Sequence, residues 1–158
     1  MVVYFIAILL TLWTIRIELV LELTMNGKIL LVEDEALIVM SEVRTLERHG
    51  FEVRVVRHGE QAVEIVGSEE GVDLNLVLMD IDLGPGMDGT EAAVQILKKR
   101  DLPIVFLSSH TEPEVVEKTE GITSYGYIVK NSGDTVLIAS IKMAFRLFEA
   151  KKRNKEDQ

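Results

Sequence analysis

The chain has 158 residues, room for one ordinary domain whose core can stand without metal or disulfide staples. It contains no cysteine, which excludes disulfides, thiolate nucleophiles and cysteine metal ligands and suits a reducing compartment such as the cytoplasm. A formal net charge of -9 argues against direct nucleic-acid binding, because neutralising phosphates takes concentrated lysine and arginine.

Val2 to Ile15 is almost entirely apolar, broken by Thr11 and Thr14, and Arg16, Glu18 and Glu22 follow. The stretch falls short of the roughly 20 residues that a spanning helix needs. It also lacks the basic start and small-residue cleavage site of a signal peptide. Met25 stands directly before a domain-opening pattern. Residues 1–24 are therefore expected to be an extension outside the functional domain, residues 25–150 the domain, and residues 151–158 a charged C-terminal tail. A weak membrane anchor is the lesser reading of residues 1–24, and a packed helix or strand a third.

From Lys28 onward, short apolar runs alternate with helical patterns. Ile29 to Val32 is the first run, followed by a helix over Ala36 to His49 with Ile38, Val39, Val43 and Leu46 near one face and Gly50 to stop it. Phe51 to Val56 is the second run, and Glu60 to Val66 a weaker helix. After the third run, Leu74 to Met79, Asp88 and Glu91 have capping-box spacing ahead of Ala92, Val94, Ile96 and Leu97. Ile104 to Leu107 precedes a second possible box, Thr111 with Glu114. Tyr125 to Val129 precedes a helix that Ser132 can cap, with Leu137, Ile141, Phe145 and Phe148 as its core face. Five strand-length runs separated by crossover-length helices predict an α/β fold with a parallel sheet covered on both faces.

Open parallel sheets place ligand sites beyond the carboxyl ends of their strands. Glu33, Asp34 and Glu35 follow the first run, and Asp80 and Asp82 the third. Converging carboxylates raise one another's pKa, and a hard divalent cation resolves the conflict, magnesium more readily than zinc. The bland alternative is a solvated acidic loop. Ser108 follows the fourth run and Lys130 the fifth, and the two offer a hydroxyl and a mobile cation to a phosphoryl group. Taken singly, each reads as an ordinary turn or surface residue.

The ordered stretches ILLVEDEA, VLMDIDL, MDG, PIVFLSSH and GYIVK resemble a response-regulator receiver domain, from about Asn26 to Ala150. The resemblance implies a doubly wound, flavodoxin-like five-stranded sheet of order 2-1-3-4-5. It implies Asp80 as phosphoacceptor, Asp34 and Asp80 as Mg2+ ligands, Glu33 acting through water, and Asp82 as the position whose backbone carbonyl completes the metal contacts. Ser108 matches the family's hydroxyl and Lys130 its phosphate-pairing lysine. Ser108 and Tyr127 match the switch positions, Tyr127 reading equally as a half-buried strand tyrosine. Asp82 and His110 match positions that tune dephosphorylation. The implied partners are a sensor histidine kinase or phosphotransfer protein as donor, and a downstream effector or the remainder of a hybrid kinase as recipient.

The chain departs from the family pattern at three points. Ser108 stands for the commoner threonine, keeping the hydroxyl. The loop Asp82 to Gly89 is one residue longer than usual. Lys130 is followed by Asn131 instead of proline, so their peptide bond is expected either trans with an altered loop or cis and strained. The Asp80-Ile81-Asp82 spacing also resembles that of magnesium-dependent aspartyl phosphohydrolases, but the acidic pair before it and the absence of a second acidic cluster after it disfavour an enzyme with an external substrate. A receiver that binds partners without being phosphorylated is disfavoured because every site position is retained.

Overall fold

A computed structural model describes residues 1, 4, 6–15, 27–123 and 125–156. The expected domain start at Met25 lies outside the described residues. The elements run β1 (Lys28–Val32), α1 (Ala36–Arg48), β2 (Glu52–Val56), α2 (Gly59–Val66), a 3-10 turn (Glu69–Gly71), β3 (Leu74–Asp80), α3 (Gly89–Lys99), β4 (Ile104–Ser108), α4 (Pro113–Ile122), β5 (Tyr127–Val129) and α5 (Asp134–Glu156). Residues 6–15 form a further helix ahead of β1. No described helix is long and apolar enough to cross a membrane.

The strands pair in parallel in the order β2-β1-β3-β4-β5. Alternation along each strand divides the core into two layers. Leu30, Val32, Val77, Met79, Ile104 and Phe106 face Ala62 and Val66 of α2 and Ala92, Ala93 and Ile96 of α3. Ile29, Leu31, Leu76, Leu78, Val105, Leu107 and Ile128 face Leu46 of α1 and Leu137, Ile138, Ile141 and Ala144 of α5. Both faces are thus buried, which is why the strands read as continuous apolar runs with little polar alternation. The chain moves outward from β1 to β2, then returns to place β3 on the other side of β1. That reversal opens a crevice at the carboxyl ends of β1 and β3.

Local signals account for several boundaries. Asp88 caps α3: its Oδ1 accepts from the Thr90 and Glu91 amides at 2.7 and 2.9 Å, and the Glu91 carboxylate accepts from the Asp88 amide at 3.2 Å. Gly50 ends α1 with φ 86°. The Thr111–Glu114 box does not form. The helix begins at Pro113 after Glu112, and the Thr111 amide instead donates to the Glu112 carboxylate. Nor does Ser132 cap α5, because the Leu137 amide donates to Gly133 O, placing Gly133 at the cap. Lys151, Lys152 and Arg153 continue α5 and form its last turns, where positive charge opposes the negative end of the helix dipole.

Candidate phosphoacceptor and metal site

Strand register sets the site. Val32 pairs with Met79, so Glu33 and Asp80 emerge level at neighbouring strand ends; Asp80 pairs with Leu107, and Ser108 with Val129, so Ser108 and Lys130 lie along the same rim. Glu33, Asp80 and Ser108 are fully buried. Glu33, Asp34 and Asp80 each bring a carboxylate oxygen within 4.8 Å of the others. Lys130 closes the group, its Nζ 2.9 Å from Glu33 Oε2 and 3.0 Å from Asp80 Oδ2, with its side chain only 6% exposed. Glu35 is the outer member, 3.6 Å from the same ammonium and mostly solvated.

Burial is the main cause that pushes the Asp80 carboxyl up to about 7; Glu33 adds to it, while Lys130 and the Asp82 amide, which donates to Asp80 Oδ1 at 3.1 Å, oppose it. Burial alone would lower the Lys130 ammonium, but the Glu33 and Asp80 carboxylates outweigh it and hold it above the usual lysine range. The site is thus a charge cluster with more acid than base.

Glycines let the backbone close on it. A Cβ at Gly89 would overlap the Asp80 carbonyl, and the Gly89 amide donates to Ile81 O at 2.9 Å. Gly84, at φ 69°, passes close to Asp34 Oδ2. The lengthened loop is fastened at its far side, where the Met87 amide donates to Glu60 Oε1 at 2.8 Å.

Across the mouth, His110 Nε2 lies 2.9 Å from Asp82 Oδ2 and its Nδ1 3.1 Å from Glu112 Oε2. Asp82 first and Glu112 second hold its imidazolium above the ordinary histidine range. The His110 amide donates to Ser108 Oγ at 3.1 Å, and the half-buried Tyr127 donates its hydroxyl to His110 O at 2.8 Å. Ser108, His110 and Tyr127 are therefore linked through one loop. The Lys130–Asn131 bond is trans, no cis bond occurring among the described residues, and Asn131 takes the left-handed conformation at φ 62°. The altered-loop alternative is the one adopted, at a residue type that tolerates that conformation.

Glu42 escaped the sequence reading. It sits on the packed side of α1, one carboxylate oxygen shielded from water and without a hydrogen-bond partner among the described residues. Burial first, then the Glu33 and Asp134 carboxylates, push it up to about 7 against the pull of Lys130. The signal was its place in the row Ile38, Glu42, Leu46, where an acid interrupts an otherwise apolar stripe.

The response regulator receiver domain family matches residues 29–142. The chain belongs to that family. It is 34% identical over 122 residues to the transcriptional regulatory protein PdtaR of Mycobacterium tuberculosis, a match covering 77% of this chain and 58% of that protein. The chain thus spans little more than half the length of that relative. Among solved structures it is similar to the N-terminal domain of a response regulator/sensory box/GGDEF 3-domain protein from Carboxydothermus hydrogenoformans (45% identity, TM-score 0.72, covering 79% of this chain and 98% of that one). It is also similar to the BeF3-activated receiver domain of Klebsiella pneumoniae RstA (30% identity, TM-score 0.68, covering 76% and 99%). The receiver fold, with its 2-1-3-4-5 sheet, is the one described above.

Proposed function

We propose that this receiver domain, over residues 25–150, accepts a phosphoryl group on Asp80 from a phosphohistidine of a sensor histidine kinase or phosphotransfer protein. The observation that carries this reading is the Lys130 ammonium held between the buried Glu33 and Asp80 carboxylates, with Asp34 completing an oxygen cluster at the strand ends. Asp80 attacks phosphorus through a carboxylate oxygen, the phosphorus–nitrogen bond of the donor breaks, and the imidazole leaves with the bonding pair and takes up a proton. The product is an aspartyl phosphate, which water later cleaves to free Asp80 and inorganic phosphate. Lys130 neutralises charge on the transferring group and the Ser108 hydroxyl donates to one of its oxygens, so the protein's contribution is positioning and electrostatics.

The donor set is all oxygen and mostly carboxylate, which fits Mg2+. Asp34 and Asp80 would hold it directly, Glu33 through water, and Asp82 through its backbone carbonyl. When bound, the ion supplies charge neutralisation between the carboxylates and the phosphoryl oxygens. Because burial holds Asp80 near 7 without it, binding is coupled to release of a proton from Asp80.

Phosphorylation would draw Ser108 toward the new anion and, through the shared His110 loop, shift Tyr127 and the α4–β5 surface that an effector or the remainder of a hybrid kinase reads. Asp82 and His110, paired across the mouth, are placed to govern how water reaches the acyl phosphate. The absence of cysteine suits a cytoplasmic setting. The test is incubation with Mg2+ and a small phosphoramidate donor, followed by intact mass. A single phosphoryl adduct on the parent and none on Asp80→Asn is expected; an equal adduct on both would overturn the assignment.

A further inference from the structure

The helix at residues 6–15 carries no charged or amide side chain, and the hydroxyls of Thr11 and Thr14 are all that its small-residue side offers to water. Ile8, Leu9, Leu10, Leu12 and Trp13 are all more than half exposed, Trp13 at 66%. Successive helical residues point in directions about 100° apart, so these five leave an apolar arc of about 200° uncovered, and Ala7, Thr11 and Thr14 fill most of the remaining sector. A helix seated on a protein buries one stripe and keeps a strongly polar face, and the sector opposite this apolar arc holds only an alanine and two threonines. Its two hydroxyls are already spent, Thr11 Oγ donating to the Ala7 and Ile8 carbonyls and Thr14 Oγ to the Leu10 carbonyl. A medium without hydrogen-bonding groups could therefore surround the helix and strand neither threonine hydroxyl. Tyr4 and Trp13, toward its two ends, are the aromatics that settle between hydrocarbon and headgroups.

We propose that this helix inserts into one leaflet of a lipid bilayer and holds the receiver domain at the membrane surface. The described helix, residues 6–15, rises about 15 Å, half of a hydrocarbon thickness of about 30 Å, which is the depth of one leaflet. Charge does not recruit it: the chain carries -9 overall, and Arg16 is the one base near the segment. Insertion is driven by apolar area, so zwitterionic vesicles suffice and added salt does not release the protein. The sequence pattern alone ranked an anchor below a passive extension. The exposure of this broad apolar arc and the self-bonded threonines reverse that order.

Trp13 is the chain's only tryptophan and reports its own surroundings. The full chain is mixed with phosphatidylcholine vesicles, with and without brominated acyl chains, and floated on a density gradient. Expected are a blue shift of the tryptophan emission, quenching by the brominated lipid and co-flotation, with Leu9→Glu/Leu12→Glu losing about tenfold or more in partitioning. Emission unmoved by vesicles, with the protein left in the dense fraction, overturns the proposal. So does an emission already blue-shifted without lipid and tied to a concentration-dependent dimer, which would make a second copy the cover.

Discussion

Replacing Lys130 by methionine keeps the stem of the side chain and removes the charge that separates two buried acids. The ammonium stands 2.9 Å from Glu33 and 3.0 Å from Asp80, both shielded from water. Deleting one partner of a buried ion pair costs about 3–5 kcal/mol, because the other charge is left uncompensated. Here two carboxylates are left, so the upper part of that range is expected in metal-free protein at alkaline pH. The pH dependence follows from Asp80, already pushed up to about 7 and deprived in the variant of the cation that opposes the rise. An acid whose folded pKa exceeds its unfolded value binds more protons folded than unfolded, so stability falls as pH rises through that window. The variant's window extends further upward than the parent's, and its deficit widens above about pH 7 and narrows below it. Magnesium at about a hundred times its dissociation constant should return about 2.7 kcal/mol. Urea unfolding followed by far-UV circular dichroism, at about pH 6 and about pH 8.5, measures all three quantities. Equal stability of Lys130→Met and parent at the higher pH would refute the reasoning.

Three further outcomes follow from the same geometry. Calorimetric titration with Mg2+ should show Glu33→Gln weakened by about 10–100-fold, the scale for a group acting on a metal through its ligands, and Asp34→Asn weakened more; the reverse order would exchange their assigned roles. Asn131 sits at φ 62°, so Asn131→Ala should cost about 1 kcal/mol in urea unfolding while Asn131→Gly costs nothing. Glu42 is an acid raised to about 7, chiefly by burial, so the parent loses stability as pH climbs from its unfolded value to that point. Glu42→Gln should therefore be more stable than the parent at about pH 8, on the order of 1–2 kcal/mol after allowance for the water that still reaches the side chain, with the advantage gone near pH 4.5.

Much of this fold was legible because parallel strands buried on both faces show as unbroken apolar runs. Ile29 to Val32 and Ile104 to Leu107 could be picked out with no partner strand in view. The acids were legible for a related reason, since Glu33 and Asp80 interrupt the pattern where a strand leaves the core. Capping was read correctly at Asp88, whose side chain meets two amides, and incorrectly at Thr111 and Ser132. Those two lie in loops shaped by other partners: Glu112 takes the Thr111 amide, and the left-handed Asn131 and Gly133 carry the chain into α5. Glu42 breaks the apolar row from Ile38 to Leu46, but a single acid in an amphipathic helix looks solvated until Glu33, Asp134 and Lys130 are brought near it. The His110 bridge between Asp82 and Glu112 likewise needs two loops to meet across the mouth.

The central claim is that Asp80 is the nucleophile, and borohydride trapping tests it at the level of the atom. Reduction of an aspartyl phosphate converts that residue to homoserine, which tandem mass spectrometry locates in the chain. After incubation with Mg2+ and a phosphoramidate donor, homoserine is predicted at position 80 alone, and at no position when the ion is chelated. Homoserine at another acidic residue, or a stable phosphoryl adduct that yields none, would contradict the account.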